Sequence, residues 1–219
     1  MRIAVVGIAK SGTTALLYAI RSAMPAGTQV IFEPRSHVEV PAESAVAKVL
    51  LNPDAPIPLE FYRQFDRIVV LLRDPRDVLV SKALYRVFGA TALHADRAKL
   101  REYLTLLREK ERDPRSLSLG QINAAFVRLT GSPSHTDEAF ARVLGALVSF
   151  HAAFPDAVEL HYEDLVEGRL DALAAALSLP AAAMRSTVPD ELSRVARTLR
   201  AGNWRSWFCP EDAAHYRPI

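Results

Sequence analysis

Cysteine is almost absent from this sequence. A single residue, Cys209, occurs among 219 residues, so a disulfide within the chain and a cysteine-rich metal site are both excluded. The lack of disulfides is typical of a reducing compartment. The sequence also has neither paired acidic residues nor a histidine cluster with the spacing of a metal site, so we expect that no metal is required.

Long apolar runs are missing as well. No stretch approaches the roughly 20 residues that cross a bilayer, and the first residues lead into a predicted strand without a charged and then apolar leader. We therefore expect no membrane span and a cytoplasmic location. The net charge is only +2, from 27 Lys and Arg against 25 Asp and Glu. So small an excess gives no reason to expect a nucleic-acid partner.

What is present is the composition of a globular protein, with 50% hydrophobic and 24% charged residues. The length fits one core, so we predict a single domain over residues 1–219. Apolar runs alternate with helical patterns, and the runs predict strands at 3–6, 29–32, 45–51, 68–72 and 158–162. This alternation predicts a three-layer α/β fold, with an open, mostly parallel central sheet and helices on both faces.

Two helical regions carry specific expectations. Residues 112–134 are interrupted by glycines and prolines, so we predict a loop containing one short helix there. A helix should follow from about residue 137, and its apolar stripe includes His151. We therefore expect His151 to be a core residue.

The first predicted strand ends in a turn that contains two glycines and a lysine. The turn reads G-I-A-K-S-G-T-T from Gly7 to Thr14, and an apolar helical segment follows. The first turn of a helix has unpaired N–H groups and the positive end of the helix dipole. Gly7 and Gly12 would let the backbone close around an oxyanion, and Lys10 would add a full charge. We predict a P-loop-like phosphate-binding turn.

The same turn differs from the ATP-binding P-loop, G-x-x-x-x-G-K-[ST]. Gly7 and Gly12 have the spacing of that motif. Thr13, however, stands where the motif has lysine, and the lysine of this chain lies inside the turn at Lys10. We interpret it as a different kind of phosphate loop.

A second polar cluster follows the strongest predicted strand. Arg73 leaves the strand, and Ser81 lies about two turns into the helix that follows, so the two side chains could hold one phosphate. We expect Asp74 to cap this helix and Asp77 to be solvated on its surface. Polar residues that follow strands one, two and four, namely Lys10, Glu33 and Arg73, should share one edge of the sheet, where such sheets bind ligands.

The C-terminal segment mixes basic, glycine and aromatic residues. Two interpretations stay open for it: a tail that packs its two tryptophans onto the domain, or a lid over residues 200–219. In the second, Arg200 and the amide of Gly202 complete a second anion site.

With these pieces in place, the chain resembles the sulfotransferases that use 3′-phosphoadenosine 5′-phosphosulfate (PAPS). The segment K-S-G-T-T, which begins at Lys10, resembles the family's 5′-phosphosulfate loop. The segment from Arg73 to Ser81 resembles its 3′-phosphate motif, an arginine and a serine around P-R-D. Residues 200–205 resemble a shortened form of its R-x-G…W-[KR] motif. Tyr162 begins Y-E-D-L, a sequence whose tyrosine lies near the adenine in the family.

The resemblance implies a role for each motif, with PAPS as the donor. Lys10 would bind the 5′-phosphosulfate and steady the bridging oxygen as the S–O bond breaks. The 5′-phosphate would be held by Ser11, Gly12, Thr13 and Thr14. The 3′-phosphate would be held by Arg73, Ser81, Arg200 and Gly202.

The chain departs from the family at the adenine and at the base. Many members have tryptophan after the two threonines, where this chain has Ala15, so Tyr162 or Trp204 would have to replace it. Other members use a glutamate as base within F-E-P, and the same tripeptide here contains Glu33. We expect Glu33 to be the base, with His37 as the alternative and a salt bridge to Arg35 or Lys10 as its structural role.

Lys48 is a further candidate for substrate binding. Its ammonium could reach the sulfuryl oxygens, but a lysine on a strand at the edge of the sheet would have the same sequence pattern.

Together these features predict an enzyme that transfers a sulfuryl group from PAPS to a hydroxyl of a carbohydrate or small metabolite. An ATP-dependent small-molecule kinase and a non-catalytic nucleotide-binding protein of the same fold stay open as alternatives. We expect residues 86–135 to set the acceptor. The sequence leaves the acceptor's identity and the oligomeric state open.

Overall fold

The computed structural model describes residues 1–36, 38–40, 43–132, 137–190, 192 and 200–217. The chain divides into two compact units. The first consists of Met1–Arg73 and Ala141–Ala201, and the second of Asp74–Phe140 and Gly202–Ile219. The single domain over residues 1–219 stays a prediction.

The described part of the first unit is built on a five-stranded sheet. Its strands are β1 (Arg2–Gly7), β2 (Gln29–Phe32), β3 (Ala45–Leu50), β4 (Arg67–Leu72) and β5 (Val158–His161). Their order in the sheet is β2-β3-β1-β4-β5, and each strand runs parallel to its neighbours. The parallel α/β sheet predicted from the sequence is confirmed.

The described α-helices are α1 (Thr13–Ala23), α2 (Leu59–Tyr62), α3 (Pro75–Tyr85), α4 (Thr91–His94), α5 (Arg97–Arg112), α6 (Leu119–Thr130), α7 (Asp137–Ala153), α8 (Tyr162–Glu167), α9 (Asp171–Leu177) and α10 (Pro210–His215). Among the described residues, none of these helices combines the length and the apolar composition that crossing a bilayer requires.

The sheet of the first unit is covered on both faces. Side chains alternate along β1, so Ile3 and Val5 pack into one cluster with α1, α8 and α9. Ala4 and Val6 pack into the opposite cluster, which contains Phe61 of α2 and Phe150 of α7. Because β1 is buried on both faces, its sequence is a continuous apolar run, as expected for an inner parallel strand.

The second unit has its own helical core. Tyr103 of α5 and Ile122 and Phe126 of α6 are buried there with residues that follow α3. A fully buried salt bridge connects the C-terminal helix to this core, because Lys110 Nζ lies 3.2 Å from Asp212 Oδ2.

Two sequence expectations about helices are wrong. In place of a short helix within residues 112–134, α6 runs for 12 residues, with a reciprocal capping box between Ser118 and Gln121 and Gly131 in a left-handed conformation at its end. The second error concerns α7, where Phe150 is in the core and packs edge-to-face against Tyr62. The side chain of the next residue, His151, is 41% exposed and pairs with Glu159.

Candidate functional site

The turn between β1 and α1 is held closed by its own serine. Both the backbone N–H and the hydroxyl of Ser11 donate to the carbonyl of Ile8, at 3.1 and 2.8 Å. The Ser11 side chain is buried, so its hydroxyl braces the turn instead of pointing to solvent. Thus the hydroxyl of this predicted phosphate ligand is committed inside the protein.

Both glycines of the turn lie too close to neighbouring atoms to carry a side chain. A Cβ atom on Gly7 would lie 2.8 Å from the Ser11 hydroxyl oxygen and 3.2 Å from the carbonyl oxygen of Leu71. Gly12 has φ +103°, and a Cβ there would lie 2.5 Å from the ring of Tyr162. The turn therefore has no room for a side chain at either position.

The helix that follows presents an uncapped N-terminus. Gly12 is its N-cap and has no side chain to accept from the first N–H groups, and the first turn of α1 contains no acidic residue. Thr13 and Thr14 begin the helix and are buried. Unpaired N–H groups and the positive end of the helix dipole make this terminus suited to an anion.

Three cationic side chains lie in the turn between β1 and α1 or contact it or the first residues of α1: Lys10, Lys48 and Arg73. Burial, and then the charges of Lys48 and Arg73, lower the pKa of Lys10 to about 8, while Glu33 acts in the opposite direction. Lys10 also has φ +73°, a left-handed conformation that is uncommon outside glycine and that concentrates at functional sites. A bound anion would offset the repulsion among these positive charges.

Lys48 lies in the second strand of the sheet and not at its edge, since β3 is between β2 and β1. Its ammonium donates to the hydroxyl of Thr14 at 2.7 Å and to the carboxylate of Glu33. The sheet-edge alternative for this lysine is therefore wrong. Its contact with a sulfuryl group stays a prediction.

Glu33 follows β2 directly and also has a left-handed backbone, with φ +48°. Its side chain is 42% exposed and forms a salt bridge with Lys48, a partner that was not predicted from the sequence. The carboxylate is thus partly accessible to solvent and held in place by a cation. His37, the alternative base, lies outside the described residues.

Arg73 ties the end of β4 to the turn. Its Nη1 donates to the carbonyl of Lys10 at 2.9 Å, and its guanidinium carbon lies 3.9 Å from the centre of the Tyr162 ring. Its Nε is buried and has no hydrogen-bond partner among the described residues. The sequence motif predicts that Tyr162 lies near adenine. Adenine could not stack on the face of the ring that Arg73 covers.

Two of the predicted 3′-phosphate residues, Ser81 and Gly202, belong to the second unit. Asp77, which we expected to be solvated, is buried instead, and it accepts from the N–H groups of Gly202 and Trp204 at 2.7 and 2.9 Å. The Gly202 amide is therefore committed to a carboxylate. Ser81 lies on α3 and is half-buried. Asp74 caps α3 by accepting from the N–H of Arg76 at 2.9 Å, as predicted.

Arg200 is assigned to the first unit, where its side chain is exposed. In the second unit, Trp204 lies against α3. The guanidinium carbon of Arg76 is 3.8 Å from the centre of its ring.

The ammonium, guanidinium and backbone N–H groups at the turn are therefore candidate donors to a phosphate or sulfate. The described residues contain no group of three or more His, Cys, Asp or Glu side chains that could hold a metal ion. The first unit is thus an α/β structure whose P-loop-like turn is a candidate anion site.

No family model and no curated protein matches the sequence. Solved structures do match the fold. The mouse sulfotransferase SULT7A1, complexed with PAP, superposes with a TM-score of 0.60 at 16% identity, over 99% of this chain and 82% of that one. Retinol dehydratase, in complex with androsterone and the inactive cofactor PAP, superposes with a TM-score of 0.55 at 15% identity. The superposition covers 99% of this chain and 78% of that one. The chain therefore has the fold of the PAPS-dependent sulfotransferases.

Proposed function

We propose that this chain transfers a sulfuryl group from PAPS to the hydroxyl of a small-molecule or carbohydrate acceptor. One observation carries the proposal: an uncapped helix N-terminus, Lys10 and Arg73 lie in the same unit as Glu33, a carboxylate held by a lysine. The two similar structures hold PAP, the product that PAPS leaves after transfer. The K-S-G-T-T segment supports the same donor.

Each residue of the turn has a physical task in this proposal. Lys10 supplies positive charge where the bridging oxygen gains negative charge as the S–O bond breaks. The N–H groups that begin α1 bind the 5′-phosphate. Arg73 fixes the turn through the Lys10 carbonyl. The assignment of Arg73, Ser81, Arg200 and Gly202 to the 3′-phosphate rests on the sequence motifs and stays a prediction.

Sulfuryl transfer, like phosphoryl transfer, requires mainly positioning and neutralisation of charge. PAPS, when bound, supplies the sulfuryl group. Glu33 accepts the proton of the acceptor hydroxyl as the new O–S bond forms, and the electron pair of the broken S–O bond stays with the phosphate oxygen of PAP. Lys10 offsets the charge on that oxygen.

The test is transfer of label from radiolabelled PAPS to a panel of hydroxyl acceptors. Wild type should label an acceptor, Lys10→Ala should not, and Glu33→Gln should lose about 10²–10⁴-fold in kcat if it removes the base. Near-normal turnover of Lys10→Ala would contradict the proposal. Magnesium-dependent turnover of ATP without use of PAPS would support a kinase instead.

A further inference from the structure

Lys48 connects two parts of the candidate site that are far apart in the sequence. It lies on β3, and its ammonium donates to Thr14, which begins α1, and to Glu33, which follows β2. The backbone N–H of Glu33 in turn donates to the carbonyl of Lys48 at 2.9 Å. One residue therefore contacts both the anion-binding helix and the proposed base.

The ammonium of Lys48 is almost fully occupied by the protein. Only 6% of its side chain is exposed. An ammonium has three N–H donors, and here one goes to Thr14, one to Glu33, and the ring of Phe32 lies 4.4 Å from Nζ. This arrangement leaves little of the ammonium for an oxygen of a substrate.

The two contacts have different consequences for the partners. A threonine hydroxyl has one hydrogen and two acceptor sites. Because the Thr14 oxygen accepts from Lys48, its hydrogen is directed away from that ammonium and stays available as a donor at the start of α1. Glu33, with its left-handed backbone and 42% exposed side chain, has one carboxylate oxygen fixed by the ammonium.

Burial makes the charge of Lys48 dependent on Glu33. Desolvation lowers the pKa of Lys48, and the hydrogen bond and charge of Glu33 raise it again. A buried cation without its carboxylate would be costly, so the two residues hold each other in place.

We propose that Lys48 is a positioning residue that fixes the Glu33 carboxylate and the Thr14 hydroxyl relative to each other, so that the general base and the donor-binding helix keep one arrangement. The inference rests on the proposed function and assigns Lys48 to the protein side of the site, in place of contact with the sulfuryl oxygens. It deepens that function by naming the group that aims the base.

A double-mutant cycle separates the two roles. Lys48→Met should lower kcat, by no more than Glu33→Gln does. If Lys48 acts through Glu33, adding Lys48→Met to Glu33→Gln should change kcat by no more than about twofold. Losses that multiply in the double variant would overturn the inference, because they would indicate an independent contact with the reacting groups.

A conservative variant guards against loss of the fold. Lys48→Arg keeps the charge and can still donate to both partners, so it should recover part of the kcat that Lys48→Met loses. If Lys48→Arg has the melting temperature of wild type but recovers none of the lost kcat, the result would contradict positioning by this cation.

A second readout needs no turnover, so a failure of the proposed function cannot conceal the result. Side-chain NMR of isotope-labelled lysine in the ligand-free chain follows the titration of Lys48. Glu33→Gln should lower the pKa of Lys48, whereas that of Lys82, which burial alone lowers, should not move. An unchanged titration of Lys48 would show that the pair does not form and would overturn the inference, whatever the result of the sulfuryl-transfer assay.

Discussion

The guanidinium of Arg73 is stacked on the ring of Tyr162, with 3.9 Å between the guanidinium carbon and the ring centre. The same guanidinium donates to the carbonyl of Lys10, and the same ring abuts Gly12. A residue at the end of β4 and a residue at the start of α8 thus clamp the turn that follows β1. The shape of the candidate anion site therefore depends on this clamp.

We therefore predict that Arg73→Lys destabilises the first unit although it preserves the charge. Lysine loses the planar stacking and the directed hydrogen bond, which together contribute about 1–2 kcal/mol. Urea denaturation measures the loss. Arg169→Lys is the matched control, because Arg169 forms an exposed salt bridge with Asp164 and should change stability by about 0.5 kcal/mol or less. Equal effects of the two substitutions would contradict the clamp.

Gly12→Ala should abolish binding of PAPS and strongly destabilise the fold. The new Cβ would meet the Tyr162 ring at 2.5 Å, in a backbone with φ +103°. The left-handed backbone alone costs about 1–2 kcal/mol, and overpacking adds about 1–3 kcal/mol. Gly27→Ala is the control, since Gly27 has φ +86° and open space around its Cβ position. If both variants lose the same stability, close approach at Gly12 is not what requires the glycine.

Binding of PAP should weaken as pH rises through the pKa of Lys10, which burial and the charges of Lys48 and Arg73 lower to about 8. Below that pH the ammonium is charged and attracts the anion; above it the amine is neutral and the attraction is lost. Calorimetric titration of PAP across this range measures the effect. Lys10→Met should bind weakly and lose this step in the pH dependence; an identical pH profile in the two proteins would assign the step to another group.

Asp77 should control the order of the segment that begins at Gly202. Its buried carboxylate accepts from the N–H groups of Gly202 and Trp204. Asp77→Ala leaves both donors without this acceptor, at a cost of about 1–3 kcal/mol for each donor that stays buried. Hydrogen exchange of these two amides should accelerate, while exchange of the α5 amides of the same unit should not. Unchanged exchange at Gly202 and Trp204 would contradict the assignment.

Local patterns in the sequence predicted the parts of the site that local residues build. The G-I-A-K-S-G-T-T segment lies between a strand and a helix, as its glycines and apolar flanks indicated, and the apolar run at residues 68–72 is an inner parallel strand. Ser118 and Gln121 form a capping box that spacing alone could have revealed, and with it the start of α6. The glycines and prolines around that segment favoured a loop, and only a short helix was therefore expected from the sequence.

Pairings between distant residues could not be read from the sequence. Asp77 meets amides 125 and 127 positions away, and nothing near it in the chain indicates burial. Glu33 pairs with Lys48 because β2 and β3 are neighbours in register, with Phe32 opposite Lys48. His151 and Phe150 are adjacent on α7, and packing against Tyr62, not periodicity alone, determines which of them is buried.

The most direct test of the central claim is calorimetric titration of the wild-type chain with PAP and, separately, with ATP and magnesium. We predict that PAP binds at a single site, that Lys10→Met abolishes or greatly weakens this binding, and that ATP with magnesium binds far more weakly. Tight binding of ATP with magnesium together with no binding of PAP would contradict the claim that this turn is built for PAPS.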